Sequence, residues 1–138
     1  MAVNTRFATG VHALLLLAAE PDVLQTSEDV ARKLNTNPVV IRRDFSLLQQ
    51  AELVESQKGP SGGSRLARSS KEISLADIYR ALNPGDVFHA ASVHSGPSGK
   101  LNQALHQVFR DAQKALEKEL AQTSLSQLAK KTAKKEKH

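Results

Sequence analysis

Apolar residues recur every three or four positions in several stretches of the chain, the spacing that buries one face of an α-helix. The first stretch predicts a helix that begins near Asn4 or Thr5, both good N-caps, and ends at Pro21 and Asp22. A second helix opens at residues 26–29 with the sequence pattern of a capping box. The face of the first helix that we expect to be buried consists of Phe7, Val11, Leu14, Leu15 and Ala18.

The third apolar stretch predicts a helix from about Pro38 to Ala51. Asn37 can cap this helix, and Pro38 suits its first position because the N–H that proline lacks is not needed there. A core-facing side is expected from the spacing of Ile41, Phe45 and Leu48. The side chains that then project away from the core are those of Val39, Arg42, Arg43 and Ser46.

A basic, glycine-rich segment, residues 58–65, follows the third helix, and we call it the wing. Its glycines and its proline favour a tight, exposed turn. The flanking segments, Leu53–Gln57 and Ser64–Arg68, have the composition of short strands. A hairpin after two helices joined by a short turn is typical of a winged helix-turn-helix domain. The predicted fold is therefore mainly α-helical with a small β-hairpin.

The second half of the chain predicts three further helices and a loop. Ser74 opens a fourth helix with another capping box, and this helix ends near Leu82. A loop rich in Pro, Gly and Ser follows at 83–99, and a long helix is expected at 100–122. Residues 124–127 can cap a short last helix. The long helix carries one continuous apolar stripe, formed by Leu101, Leu105, Val108, Phe109, Ala112, Leu116 and Leu120.

This stripe is too long to be buried against so small a domain, so we expect the same helix of a second subunit to cover it. The predicted organisation is a winged helix-turn-helix domain at 1–82, a regulatory loop at 83–99, a dimerisation region at 100–129 and a disordered basic tail at 130–138.

The formal charge of +5 on the 138 residues is unevenly distributed. Residues 130–138 hold five Lys and one Glu, which is +4, and residues 32–71 hold eight Lys or Arg and three acids, which is +5. The remainder is therefore net acidic. The basic charge is concentrated on the predicted helix-turn-helix, on the wing and on the tail, which is either a phosphate contact or a solubilising end.

The second helix of a helix-turn-helix enters the major groove of DNA. An arginine can donate two hydrogen bonds to guanine there, and an apolar side chain such as Val39 can contact a thymine methyl group. The alternative for Arg42 and Arg43 is a solvated helix face. The expected DNA-binding residues are Asn35, Thr36, Asn37, Val39, Arg42, Arg43, Ser46, Lys58, Gly59, Ser61, Gly62, Ser64 and Arg65.

Other classes of function have little support in the sequence. Phosphate-loop, zinc-protease and serine-hydrolase motifs are absent, and the acids Glu117 and Glu119 are expected to be solvated, so no enzyme is indicated. The longest apolar run, residues 11–19, is too short to span a bilayer, and a secretory signal pattern is missing, so a cytoplasmic protein is expected. The remaining alternative is a winged-helix module that binds protein rather than specific DNA.

Three motifs resemble the Rrf2 family of winged-helix regulators, to which IscR, NsrR and CymR belong: residues 53–56 (LVES), 59–67 (GPSGGSRLA) and 73–78 (ISLADI). Within that family, residues 35–43 (NTNPVVIRR) are most similar to the branch of YwnA. The resemblance implies a homodimeric transcriptional regulator, usually a repressor, that binds a palindromic operator. It also implies that bases are read by Val39, Arg42 and Arg43 and by Lys58.

The chain departs from that family's pattern because it contains no Cys. Family members that sense iron–sulfur status or nitric oxide carry three cysteines after the fourth helix, so no cysteine-held cluster is expected here. Two histidines of the loop, His89 and His94, are weak metal candidates that are otherwise exposed. A small-molecule pocket near Tyr79 and Phe88 and a protein co-regulator are alternatives, and the effector stays open.

Overall fold

The computed structural model of the protein describes residues 3–82 and 99–136. These two ranges contain six α-helices and one antiparallel β-hairpin, which confirms the predicted winged-helix architecture. In chain order the elements are α1 (Val3–Ala19), α2 (Ser27–Leu34), α3 (Pro38–Gln50), β1 (Val54–Gln57), β2 (Gly63–Leu66), a 3₁₀ turn (Ser70–Glu72), α4 (Leu75–Leu82), α5 (Gly99–Leu120) and α6 (Leu125–Glu136).

Side chains that precede the helices fix where several of them begin, as the sequence predicts. At α2, Thr26 and Asp29 exchange the two reciprocal hydrogen bonds of a capping box, at 3.2 and 3.0 Å. At α3, the Oδ1 atom of Asn37 accepts a hydrogen bond from the Val39 amide at 2.9 Å. Ser74 opens α4 with a second capping box. By contrast, α1 begins at Val3, before the predicted start.

The core lies between α1, α2, α3, α4 and the hairpin. Val11 and Leu14 of α1 are buried as predicted, while Phe7, Leu15 and Ala18 are only partly buried. Full burial reaches Ala13 and Leu17 instead, because neighbouring elements cover α1 on more than one side. α1 also passes so close to α4 that a Cβ atom on Gly10 would overlap the Leu82 side chain.

The C-terminal helix α6 packs against α1 and the 3₁₀ turn, and Leu125 is wholly buried in the core. The backbone also joins here, since the Leu125 amide donates to the Ile73 carbonyl at 2.8 Å and the Leu75 amide to the Thr123 carbonyl at 2.9 Å. The sequence predicted a disordered tail from residue 130, whereas α6 continues to Glu136. The start of α6 is therefore part of the winged-helix core.

Helix α5 is joined to α4 by polar contacts. Arg80 donates to Glu117 at 2.7 Å, and the buried Gln113 donates to Glu117 at 3.1 Å and to the Tyr79 hydroxyl at 3.3 Å. The hydrogen bond from Arg80 lowers the pKa of Glu117, and the bond from Gln113 lowers it further. The prediction that Glu117 is simply solvated is therefore wrong. No helix in the described part of the chain has both the length and the apolar content needed to cross a membrane.

Candidate nucleic-acid interface

Helix α3 presents one polar face to solvent, and we call it the outer face. It consists of Val39, Arg42, Arg43 and Ser46, at the spacing i, i+3, i+4 and i+7, and all four are exposed. Val39 is a large apolar side chain and is nevertheless 61% exposed. An apolar group in this position is free to contact the methyl group of a thymine.

The opposite face of α3 is buried and contains an unexpected charge. Ile41, Phe45 and Leu48 are in the core as predicted, and Asp44 lies among them with no exposed surface. Its Oδ1 atom is 3.7 Å from the Arg6 guanidinium of α1, and no residue of the described ranges donates a hydrogen bond to either carboxylate oxygen. Burial raises the pKa of Asp44, against the opposing effect of Arg6 and Arg43. This pair links α3 to α1, and sequence reasoning missed it.

The two arginines of the outer face differ in their surroundings. Arg42 donates a hydrogen bond to Oε1 of Glu28 on α2 at 2.8 Å, and both side chains are exposed. Arg43 forms no ion pair within 4.0 Å with any residue in the described ranges. On this face, Arg43 therefore carries a positive charge without an ion-pair partner in the described ranges, whereas the charge of Arg42 is partly neutralised by Glu28.

The turn between α2 and α3 is built by its own backbone. Asn35 adopts the left-handed conformation, with φ of 54°, and its amide donates to the Arg32 carbonyl at 3.2 Å. The Thr36 amide donates to the Ala31 carbonyl at 2.9 Å. Asn37 caps α3 with its side-chain oxygen Oδ1, which leaves its side-chain NH₂ group available as a donor. The structure thus gives Asn35 and Asn37 local roles and leaves both exposed.

The wing is a tight turn on a short hairpin. Val54 pairs with Leu66 and Gln57 with Gly63, and the Gly62 amide closes the turn onto the Gly59 carbonyl at 3.0 Å. A Cβ atom on Gly62 would overlap the Gln57 carbonyl oxygen, so a glycine is needed here for the hairpin itself. Gly59 has a φ of 103° and open space around it.

The base of the hairpin is attached to the body by Gln25, which is 3% exposed. Its backbone exchanges two hydrogen bonds with Ser64, at 3.0 and 2.8 Å. Its side chain accepts from Lys33 at 3.1 Å and donates to the Leu16 carbonyl at 3.0 Å. Gln25 therefore connects the wing to α1 and α2. The sequence does not predict this role, because Gln25 is a single polar residue outside any repeating pattern.

The predicted DNA contact of Ser64 needs correction. Its side chain is buried and lies 2.8 Å from the Ser56 hydroxyl, because this position of β2 points towards the body. Arg65 remains partly exposed, and its Nε donates to Oε1 of Glu55 on the neighbouring strand at 2.6 Å. Lys58 is exposed and forms no ion pair within the described part of the chain.

Two cations near the interface were not among the predicted residues. Arg68 donates hydrogen bonds to the backbone carbonyls of Glu52 and Ala51 at 3.3 and 3.5 Å. It therefore stabilises the backbone just after the C-terminal end of α3. Lys33 lines a shallow depression of about 410 Å³ beside the helix-turn-helix turn. The residues around this depression are Thr9, His12, Lys33, Leu34, Asn35 and Thr36.

Of the predicted effector residues, the structure describes only Tyr79. Tyr79 is buried, packs edge-to-face on Phe7 at a centroid distance of 5.8 Å, and accepts a hydrogen bond from Gln113. Phe88, His89 and His94 lie outside the described residues. Tyr79 therefore serves the α1–α4–α5 packing.

The sequence of the chain is similar to those of known regulators. Residues 3–131 match the family model described as Rrf2, iron-dependent transcriptional regulator. YwnA of Bacillus subtilis (strain 168), named as a candidate HTH-type transcriptional regulator, is 38% identical over 129 residues, which cover 89% of this chain and 93% of YwnA. BadM of Rhodopseudomonas palustris, named in the same way, is 33% identical over 123 residues, which cover 88% of this chain and 76% of BadM.

Solved structures have the same fold. The crystal structure of a candidate DNA-binding protein superposes with a TM-score of 0.71 at 35% identity and covers 89% of this chain and 97% of its own. CymR, the global cysteine regulator of B. subtilis, superposes with a TM-score of 0.70 at 22% identity, covering 94% and 97%. The chain belongs to the Rrf2 family.

The iron named in the family description has no cysteine ligands in this chain, because the sequence contains no Cys. Among the residues that the structure describes, no three His, Cys, Asp or Glu side chains are grouped closely enough to hold a metal ion. These residues do not fit a cysteine-ligated iron–sulfur cluster.

Proposed function

We propose that this Rrf2 family member is a homodimeric, sequence-specific DNA-binding repressor. Helix α3 lies in the major groove of a palindromic operator, and the wing contacts the flanking backbone or minor groove. The activity is carried out in the cytoplasm, on duplex DNA, without a bound cluster. The members of this family are transcriptional regulators and not enzymes.

The observation that carries this proposal is the outer face of α3. A helix capped at Asn37 exposes Val39, Arg42, Arg43 and Ser46 together, while its opposite face is held in the core. Exposed apolar and guanidinium groups on the first turns of such a helix are the groups that read thymine methyls and guanine edges. The exposed polar residues of the turn, Asn35 and Asn37, are placed for phosphate oxygens.

The charges around this face divide into two kinds. Arg43 and Lys58 are exposed and outside any described ion pair, so they provide uncompensated positive charge for phosphate or base contact. Arg42 and Arg65 are each held by a glutamate of a neighbouring element. Phosphate contacts of this kind give sequence-independent affinity, and base contacts give specificity.

The second subunit is proposed from helix α5. Leu101, Leu105 and Val108 lie on one side of it at the spacing i, i+4 and i+7, and they are 66%, 43% and 59% exposed. The 22-residue helix is about 33 Å long, at 1.5 Å per residue. We propose that this stripe, with the half-buried Phe109, Ala112, Leu116 and Leu120, packs on its counterpart and sets the spacing of two reading helices.

The direct test is selection of bound duplexes from a random pool, with and without metals and oxidants, followed by affinity measurements on the selected duplex. We expect two inverted half-sites about one helical turn apart, since the two subunits are related by a two-fold axis. An additive that abolishes enrichment would identify the class of effector.

Replacing Arg43 by Ala should then reduce the affinity for the selected duplex about 5- to 100-fold, because one base or phosphate contact is lost. Fluorescence anisotropy with labelled duplex measures this. Lys118→Ala on the exposed surface of α5 removes the same charge away from the proposed interface and is the control. No enrichment in the selection would favour the protein-interaction module instead. Equal binding of the selected duplex by both variants would show that Arg43 makes no contact with it.

A further inference from the structure

The Arg42 side chain is held by an acidic residue of the neighbouring helix. Its Nη2 atom donates to Oε1 of Glu28 at 2.8 Å, across 14 residues of sequence. The side chains are 59% and 60% exposed, so the pair lies at the surface and not in the core. A carboxylate on the surface proposed to face DNA is unexpected, because phosphates repel it.

Glu28 is not needed to start helix α2. The reciprocal hydrogen bonds of that helix are made by Thr26 and Asp29. The other acid of the first turn, Asp29, also accepts from Arg32 at 2.8 Å. The described contact of Glu28 is therefore directed to the outer face of α3 and not to its own helix.

The contact leaves Arg42 able to read a base. A guanidinium has five N–H donors in a fixed plane, and the bond to Glu28 uses one of them. The remaining donors can still form two parallel bonds to a guanine edge. A fixed plane also loses less rotational freedom on binding than a free side chain does.

We propose that Glu28 is a specificity-determining residue that positions Arg42 for a base and weakens its attraction to phosphates of random sequence. This inference rests on the proposed DNA-binding function. On random duplex, the carboxylate compensates the charge of Arg42 and so weakens the attraction of Arg42 to the phosphates. On the correct base pair, the oriented guanidinium gains its two hydrogen bonds and Glu28 stays in place.

The test compares Glu28→Gln with the parent on the selected duplex and on a random duplex, at several salt concentrations. Removing the charge of Glu28 should raise the affinity for random duplex about two- to fivefold. This change in affinity corresponds to the free energy of an exposed ion pair. On random duplex, the slope of the logarithm of the binding constant against the logarithm of the salt concentration should steepen by about 0.9, because Arg42 becomes available for one phosphate. The affinity for the selected duplex should not rise, so the ratio of the two affinities falls.

Two further variants separate this effect from simpler ones. Glu119→Gln removes one negative charge from the exposed surface of α5. The ratio of its affinities for the selected and the random duplex should equal that of the parent. In the Arg42→Ala background, Glu28→Gln should no longer change the ratio by more than the Glu119→Gln control does. Thermal unfolding of each variant checks that the helices are intact.

The inference is overturned if Glu28→Gln keeps the parent's ratio, if Glu119→Gln lowers the ratio equally, or if the effect persists without Arg42. In each of these cases the parent still prefers the selected duplex, so the proposed function survives. If the parent itself shows no preference for any duplex, both the function and this inference are wrong.

Discussion

At the scale of single residues, the outer face of α3 could be predicted because two local signals agree. The asparagine–proline cap fixes where the helix begins, and the 3.6-residue period then fixes which side chains point outward. Ile41 and Leu48 were assigned to the core and Arg42 and Arg43 to the surface in this way, and the structure agrees.

The same period places position 44 in the core, three residues after Ile41. The charged side chain of an aspartate, however, is not expected in an apolar core. Its partner, Arg6, is 38 residues away on another helix. No local pattern predicts so distant a pairing. The contacts of Arg42 with Glu28 and of Ser64 with Gln25 were missed for the same reason, since each depends on how separate elements pack.

Asp44 should make the stability of the protein depend on pH. Because burial raises its pKa, the folded state binds more protons than the unfolded state above the ordinary value of 3.8. The free energy of unfolding should therefore receive a contribution that falls as pH rises through this range. Asp44→Asn removes that contribution, so its stability should fall less than the parent's, or rise more, between pH 4 and pH 7.

Urea unfolding at several pH values measures this difference. Lowered pKa values, such as that of Glu117, act in the opposite direction but are present in both proteins and cancel. Glu72→Gln, at an exposed acid of the 3₁₀ turn, is the control and should keep the parent's pH dependence. Identical pH dependence in the Asp44→Asn variant and the parent would contradict the assignment of a buried charge.

At the scale of elements, the helices and the hairpin were predictable and the end of the chain was not. The lysines after residue 130 indicated a solvated tail. The structure instead continues α6 to Glu136, because Leu125 and Leu128 attach its first turns to the core. The sequence predicts a short last helix, but two apolar residues spaced three apart are too short a pattern to predict that it continues through the strongly charged segment after residue 130.

Leu125→Ala should therefore destabilise the whole winged-helix domain and not just its end. Truncating a fully buried leucine costs about 2–5 kcal/mol, and Leu125 has no exposed surface. Urea unfolding monitored by circular dichroism measures the loss. Lys130→Ala, on the exposed side of the same helix, should stay within about 0.5 kcal/mol of the parent. A loss below about 1 kcal/mol for Leu125→Ala would show that α6 is not part of the core.

At the scale of the whole molecule, the apolar stripe of α5 is the feature that sequence and structure describe alike. It was predicted to exceed what one domain can bury, and its first half is exposed on the single chain. A hydrogen bond from Arg80 to Glu117 attaches the second half to α4, which the sequence did not indicate. Contacts within one chain therefore help to hold α5 in place.

Leu105→Lys should convert the protein to a monomer at micromolar concentration, because it places a charge in the middle of the proposed interface. Sedimentation velocity measures the mass directly. Gln103→Lys introduces the same charge on the same helix away from the stripe, and it should leave the mass of the parent unchanged. If Leu105→Lys sediments as the parent dimer does, the stripe is not the subunit interface.

The most direct test of DNA recognition by α3 and the wing is backbone hydrogen exchange, measured with and without the selected duplex. Slower exchange is predicted in residues 35–46 and 58–65, in both subunits equally, with little change in α6. Slower exchange confined to α6 or to the exposed surface of α5, with residues 35–46 unchanged, would contradict the proposed interface.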